Sequence, residues 1–235
     1  MTQGRTKYKS LFFDLDDTLW DTARNNKECL EEIYTAYRFG SYYSSFEEFY
    51  SIFMPHNLML WDKYRNHEID RRTLILERLL YMLRPMGIED EAFTLKLNND
   101  FLQRTAVKTR LIAGAADLME YLFPKYRLFI LSNGFREIQS LKMQNAGLAP
   151  YFERIILSED VSVQKPNRGI FDYALKTANS RRSESLMIGD SWEADIAGAQ
   201  NAGIDQLWLN PDGKQAKGRP PTFTVHSLPE IKEIL

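Results

Sequence analysis

Asp14 and Asp16, in the run Asp14-Leu15-Asp16-Asp17-Thr18, follow directly on the apolar stretch Leu11-Phe12-Phe13. A short apolar run of β-formers predicts a buried strand. Side chains alternate along a strand, so the two carboxylates should emerge on the same side. Carboxylates brought together at a buried strand end are costly unless a cation or a reaction needs them. The pair therefore points to metal-assisted chemistry. Three further clusters supply its missing parts: Ser132-Asn133-Gly134, Lys165-Pro166, and Gly189-Asp190 with Asp195 five residues on.

The chemistry follows from charge. A phosphate monoester is close to a dianion, and a carboxylate attacks it only when that charge is neutralised. A divalent ion and a fixed lysine provide the neutralisation and stabilise the transition state. Asp14, Asp190 and a main-chain carbonyl offer hard oxygen ligands. With no Cys or His beside them, Mg²⁺ suits the set better than Zn²⁺. Lys165 supplies a point charge, and Ser132 with neighbouring N–H groups cradles phosphate oxygens. Asp14 and Asp16 divide the roles of nucleophile and general acid/base. Each cluster also has a plain reading as a cap or a turn. Their occurrence in order, each after its own expected strand, favours the chemical one.

Those strands are expected at residues 127–131, 154–157, 186–188 and 206–209, alternating with helices at 114–121, 135–145, 168–179 and 193–202. Gly147 and Gly203 serve as helix stop signals. Such alternation predicts a doubly wound, parallel, Rossmann-like α/β sheet covered on both faces. In that architecture ligands bind beyond the carboxyl ends of the strands. Between the first two strands, residues 22–38, 44–65, 71–82 and 89–105 show helical periodicity with no strand among them. The expected organisation is a core of residues 1–20 and 110–235 with a helical cap inserted at 21–109.

Composition narrows the class. The 235 residues carry 30 basic and 32 acidic side chains, a formal charge of −2, which gives no general attraction to a nucleic acid polymer. No run approaches the ~18 consecutive apolar residues of a membrane span. The polar N-terminus has no secretory pattern, and the single Cys29 closes no intrachain disulfide, so the expected setting is cytoplasmic. His56, His67 and His226 are scattered, without metal-ligand spacing.

The four clusters, in order, resemble the motifs of the haloacid dehalogenase superfamily of phosphohydrolases, and residues 21–109 resemble that family's cap. The resemblance implies that Asp14 attacks phosphorus to give an aspartyl-phosphate. Asp16 would protonate the leaving oxygen and then activate water. It further implies that Thr18 steadies the loop and belongs with Ser132, Asn133 and Lys165 in holding phosphate. Asp14, Asp16 and Asp190 would serve the Mg²⁺ site, with Asp195 supporting it from behind the direct ligands.

Ser132-Asn-Gly-Phe135, Ser158-Glu-Asp-Val161 with Lys165-Pro-Asn167, Ile170-Phe-Asp-Tyr-Ala174, Trp208-Leu-Asn210 and cap residues 60–64 with Glu68-Ile69 resemble the pyrimidine 5′-nucleotidase branch. That implies small-molecule substrates such as dUMP, UMP or TMP. The expected assembly is a monomer or homodimer. Aromatic residues crowd the cap at roughly helical spacing (Phe46, Phe49, Tyr50, Phe53, Trp61, Tyr64), which predicts core packing. Asn57, Trp61 and Phe135 are the candidates for base contact. The competing readings are a phosphatase for phosphoglycolate or a sugar phosphate, and a phosphomutase. A hydrolytic dehalogenase is disfavoured because it needs no acid at Asp16. A non-catalytic binding protein is disfavoured because no site residue is missing.

Overall fold

In the central strand β1 (Ser10–Phe13), Leu11 and Phe13 enter one hydrophobic core and Phe12 enters another. The same division runs through β2 (Arg127–Ser132), where Leu128 and Ile130 oppose Phe129 and Leu131. A strand apolar on both faces must be covered on both, which is why these segments read as continuous apolar runs. The computed structural model describes residues 7–235. Its sheet continues with β3 (Arg154–Leu157), β4 (Ser185–Gly189), β5 (Asp205–Leu209) and β6 (Phe223–Val225), in the order β3-β2-β1-β4-β5-β6. Every pairing is parallel, with Phe12 in register with Phe129 on one side and Met187 on the other. The chain runs outward from β1 through β2 to β3 and then crosses to β4 on the other side of β1, so the switch point lies at the end of β1.

The helices are α1 (Thr22–Ala36), α2 (Phe46–Arg65), α3 (Arg71–Leu83), α4 (Glu91–Ala106), α5 (Ala115–Leu122), α6 (Arg136–Asn145), α7 (Arg168–Thr177), α8 (Gly198–Ala202) and α9 (Ile231–Ile234). On the Leu11 face lie Leu118, Met119 and Leu122 of α5, Met143 of α6 and Ile231 of α9. On the Phe12 face lie Ile170, Phe171, Ala174 and Leu175 of α7 with Ala199 and Ala202 of α8. None of the helices among the described residues is long and apolar enough to cross a membrane.

The chain divides into two compact units, one running through Thr22 and resuming from Thr109 to Leu235, the other Ala23–Lys108. The second unit is a helical bundle. Its core joins Cys29, Leu30 and Ile33 of α1, Phe46, Phe49 and Phe53 of α2, Leu79, Met82 and Leu83 of α3, and Leu97 and Phe101 of α4. Side-chain oxygens of Ser45, Asp70 and Asp90 accept from the first-turn N–H groups of Glu48, Thr73 and Phe93, which marks the starts of α2, α3 and α4. Phe46, Phe49 and Phe53 pack in the core as their spacing predicts, whereas Trp61 and Tyr64 are half-buried and meet edge to face.

Several expected boundaries shift for local reasons. The helix expected to Arg38 stops at Ala36, because Arg38 adopts φ 56°. The helix expected to Asn179 stops at Thr177, with Asn179 at φ 47°. The helix expected from Glu193 instead opens as a π-helical turn, Trp192–Ala197. There the Ile196 N–H reaches back five residues to the Ser191 carbonyl at 3.2 Å. Strand β6 and helix α9 lie beyond the last element read from the sequence.

Candidate active site

Asp14 is the first residue beyond β1, and its N–H still bonds the Ile188 carbonyl of β4 at 2.9 Å. Lys165, just before α7, sends Nζ to Asp14 Oδ1 and Asp195 Oδ1, both at 2.6 Å. The lysine is 2% exposed and Asp195 is fully buried. Asp195 is held from its other oxygen by the Ser191 N–H at 3.1 Å. The π-turn that carries Asp195 explains how a residue five places beyond Asp190 turns back beside it. Gly189 completes that approach: a Cβ there would lie 2.2 Å from Asp195 Oδ2, so a side chain at this position would expel the carboxylate.

Asp14, Asp190 and Asp195 each present a carboxylate oxygen, all within 4.8 Å of one another. Lys165 is the cation shared among them. Burial drives the Asp14 carboxyl well above its ordinary range; Lys165 opposes this, while Asp195, Asp190 and Asp16 add to it. Burial, with the charges of Asp195 and Asp17, pushes Asp190 up to about 7 against the Thr18 hydrogen bond. Lys165 behaves oppositely. Burial pulls it down, but the Asp14 and Asp195 charges outweigh that and keep its ammonium protonated. An oxygen-only donor set with surplus negative charge fits a hard divalent cation, which would favour the ionised forms of Asp14 and Asp190.

Asp16 has different partners. Its Oδ1 accepts from Lys142 Nζ at 2.6 Å and Thr22 Oγ1 at 2.9 Å, and its Oδ2 accepts from Gln139 Nε2 at 2.6 Å. Burial alone would raise its pKa, but the Lys142 charge and the hydrogen bonds of Lys142, Gln139 and Thr22 hold it below the ordinary range. The Asp16 side chain is engaged by α6 and Thr22, apart from the clustered carboxylate oxygens of Asp14, Asp190 and Asp195. Strand alternation is not the cause of the pairing. The strand ends at Phe13, so both carboxylates lie beyond it, and each takes its own partners.

Two residues expected at the phosphate have partners within the protein. Thr18 Oγ1 donates to Asp190 Oδ1 at 2.9 Å and accepts from the Asp190 N–H at 3.1 Å, so it positions Asp190. The Asn133 amide clamps the Lys165 main chain, donating to its carbonyl at 3.0 Å and accepting from its N–H at 2.8 Å. Its side chain braces the lysine. Ser132, 1% exposed at the end of β2, accepts from the Gly134 N–H at 3.0 Å and Gln139 Nε2 at 2.7 Å. Phe135 precedes α6 and is buried, whereas Asn57 and Trp61 lie one turn apart on α2 in the helical unit. The carboxylate cluster is built from the core unit without them.

Gln139 and Lys142 were missed in the sequence. Both are buried on α6, Gln139 one turn before the core residue Met143 and Lys142 one turn beyond Gln139. Their spacing of three sets them on one side of the helix, but nothing local marks that side as facing Asp16.

The arrangement matches known proteins along the whole chain. Residues 8–203 match the model of the haloacid dehalogenase-like hydrolase family. The pyrimidine 5′-nucleotidase YjjG of Escherichia coli K12 is 33% identical over 97% of this chain and 98% of its own length. The pyrimidine 5′-nucleotidase PynA of Streptococcus pneumoniae is 30% identical over 97% of this chain and 95% of its own. Among solved structures, the magnesium-bound HAD-hydrolase YfnB of Bacillus subtilis superposes with a TM-score of 0.85 at 28% identity, covering 97% of this chain and 98% of that one.

Proposed function

The chain belongs to the haloacid dehalogenase-like hydrolases, and we propose that within them it is a Mg²⁺-dependent 5′-nucleotidase acting on pyrimidine nucleoside monophosphates such as dUMP, UMP and TMP. The chemistry rests on one observation: Lys165 Nζ bridges Asp14 and Asp195 in a buried three-carboxylate cluster, while Asp16 is held apart by its own donors. The substrate rests on similarity to two pyrimidine 5′-nucleotidases over nearly the whole chain.

In the proposed mechanism Asp14 attacks phosphorus, the ester P–O bond breaks, and the departing oxygen takes a proton from Asp16. Water then attacks the aspartyl-phosphate while Asp16 removes its proton, which releases phosphate and restores Asp14. Lys165 neutralises phosphate oxygens throughout, and Ser132 donates its hydroxyl to one of them. Asp14 and Asp190 would hold the Mg²⁺, with support from Asp195. The ion would supply positive charge that keeps Asp14 ionised and offsets the charge of the phosphate dianion. As described, Asp16 is the anion that the second half-reaction uses; the first half-reaction uses its protonated form. The two halves place opposite demands on pH, and a bell-shaped rate profile follows. Asn57, Trp61 and Phe135 are assigned to the base of the nucleotide.

Acid quenching during turnover of a phosphate-labelled nucleotide tests the reaction path. Label should be trapped on the protein, be released by hydroxylamine, and be missing from Asp14→Asn. Turnover with nothing trapped on rapid quenching would count against a covalent path.

A further inference from the structure

Gln139 carries one amide between two groups of the site. Its Nε2 lies 2.6 Å from Asp16 Oδ2 and 2.7 Å from Ser132 Oγ. An ionised carboxylate only accepts hydrogen bonds, so the amide nitrogen, not its oxygen, must face Asp16. One of the two N–H bonds then goes to Asp16 and the other to Ser132. Ser132 Oγ also accepts from the Gly134 N–H at 3.0 Å. With both lone pairs engaged, the hydroxyl has only its proton left to offer, and phosphate is an acceptor.

The space for this amide is built into the chain. A Cβ on Gly134 would lie 2.3 Å from Gln139 Nε2, 2.5 Å from Cδ and 2.8 Å from Cγ. The glycine after Ser132-Asn133 is therefore what lets the amide lie across the turn. One helical turn on, Lys142 is 6% exposed, with Nζ 2.6 Å from Asp16 Oδ1 and 4.0 Å from the centre of the Trp20 ring. An ammonium enclosed by a carboxylate and an indole face has little freedom to leave.

We propose that Gln139 and Lys142 are positioning residues for phosphoryl transfer: Gln139 aims the Ser132 proton at the phosphate, and the two together fix the Asp16 carboxylate. The proposal rests on the reading of Asp16 and Ser132 given above. Neither residue touches the phosphate; Gln139 acts through Ser132 and Asp16, and Lys142 through Asp16.

The test uses the full-length protein with Mg²⁺ and the variants Gln139→Met, Lys142→Met, Lys142→Arg and Ser132→Ala. The readouts are the Kd of inorganic phosphate by titration calorimetry, and kcat on an alkyl phosphate and on p-nitrophenyl phosphate. Gln139→Met should weaken phosphate about ten-fold, the usual scale for a lost charge-assisted hydrogen bond. That loss should vanish in the Ser132→Ala background. Lys142→Met should leave phosphate affinity within about three-fold while reducing kcat on the alkyl ester at least ten-fold more than on the aryl ester. Lys142→Arg should recover most of that difference.

An equal Gln139 effect with and without the Ser132 hydroxyl would overturn the first half of the proposal, as would no effect at all. Equal Lys142→Met losses on both esters would overturn the second. If Gln139→Met fails to fold, Gln139→Leu removes the donors without adding charge and should show the same phosphate loss. If the unaltered protein hydrolyses no ester, the phosphohydrolase reading fails; the phosphate-binding cycle between Gln139 and Ser132 still decides the positioning of Ser132.

Discussion

Thr18 and Asp190 hold each other through two hydrogen bonds: the Thr18 hydroxyl donates to the Asp190 carboxylate at 2.9 Å and accepts from its main-chain N–H at 3.1 Å. The ends of β1 and β4 are tied at the carboxylate assigned to the metal, and Thr18 is fully buried. Valine keeps the shape and loses both bonds. Thr18→Val should weaken the apparent Mg²⁺ affinity about ten-fold, the scale seen when partners of metal ligands are removed. Thr18→Ser should restore most of it. An unchanged Mg²⁺ midpoint for phosphate release in the valine variant would refute this role.

Asp14→Asn should abolish turnover and still fold. In chelator it should raise Tm, because it removes a buried carboxyl that burial and three acidic neighbours disfavour as an anion. Thermal unfolding in EDTA checks this. A lower Tm for the asparagine protein would contradict the charge balance described for the cluster.

The same cluster sets a pH dependence in the absence of metal. Asp14 and Asp190 have folded-state pKa values raised above the ordinary carboxylate value, Asp190 to about 7. Between pH ~4 and ~7 the folded state therefore holds protons that the unfolded state has lost, and stability falls as pH rises. Asp16 is lowered, so its contribution is lost only at more acid pH, below this window. Tm in EDTA should decline across the window, and saturating Mg²⁺ should flatten the decline. A Tm in chelator that climbs steadily from pH 5 to 7 would show that the cluster does not govern stability there.

Gly189→Ala inserts a Cβ 2.2 Å from Asp195 Oδ2, against a side chain already fixed by Lys165 and the Ser191 N–H. The variant should lose about 1–3 kcal/mol of stability, the common cost of overpacking a core. It should also lose most of its activity through displacement of Asp195. Denaturant unfolding and phosphate release measure the two effects. Wild-type values for both would mean that Asp195 relocates at no cost.

Much of this architecture was legible because apolar runs and strand-end polar groups coincide. Leu11-Phe12-Phe13 and Leu186-Met187-Ile188 can be satisfied only by a sheet covered on both faces, and each is followed at once by a carboxylate or a glycine turn. Local chemistry did not reveal which partner each side chain would take. Thr18 and Asp190 are 172 positions apart, and Gln139 and Asp16 are 123 apart. Only the register of the parallel sheet and the rotation of α6 bring them together. The π-turn at Trp192 was hidden for a related reason: its pattern also suits an α-helix, and the position of Asp195 beside Lys165 distinguishes them. Strand β6 is three residues at the sheet edge, too short for alternation to signal.

The most direct measurement is phosphate release with Mg²⁺ and with EDTA across dUMP, UMP, TMP, purine monophosphates, phosphoglycolate and sugar phosphates, with Asp14→Asn as control. The expected result is Mg²⁺-dependent release with kcat/KM at least ten-fold higher on a pyrimidine monophosphate, about 1.4 kcal/mol of differential transition-state binding. Selective turnover of phosphoglycolate or a sugar phosphate would contradict the nucleotide assignment. Equal activity in EDTA, or in the asparagine variant, would contradict the chemistry itself.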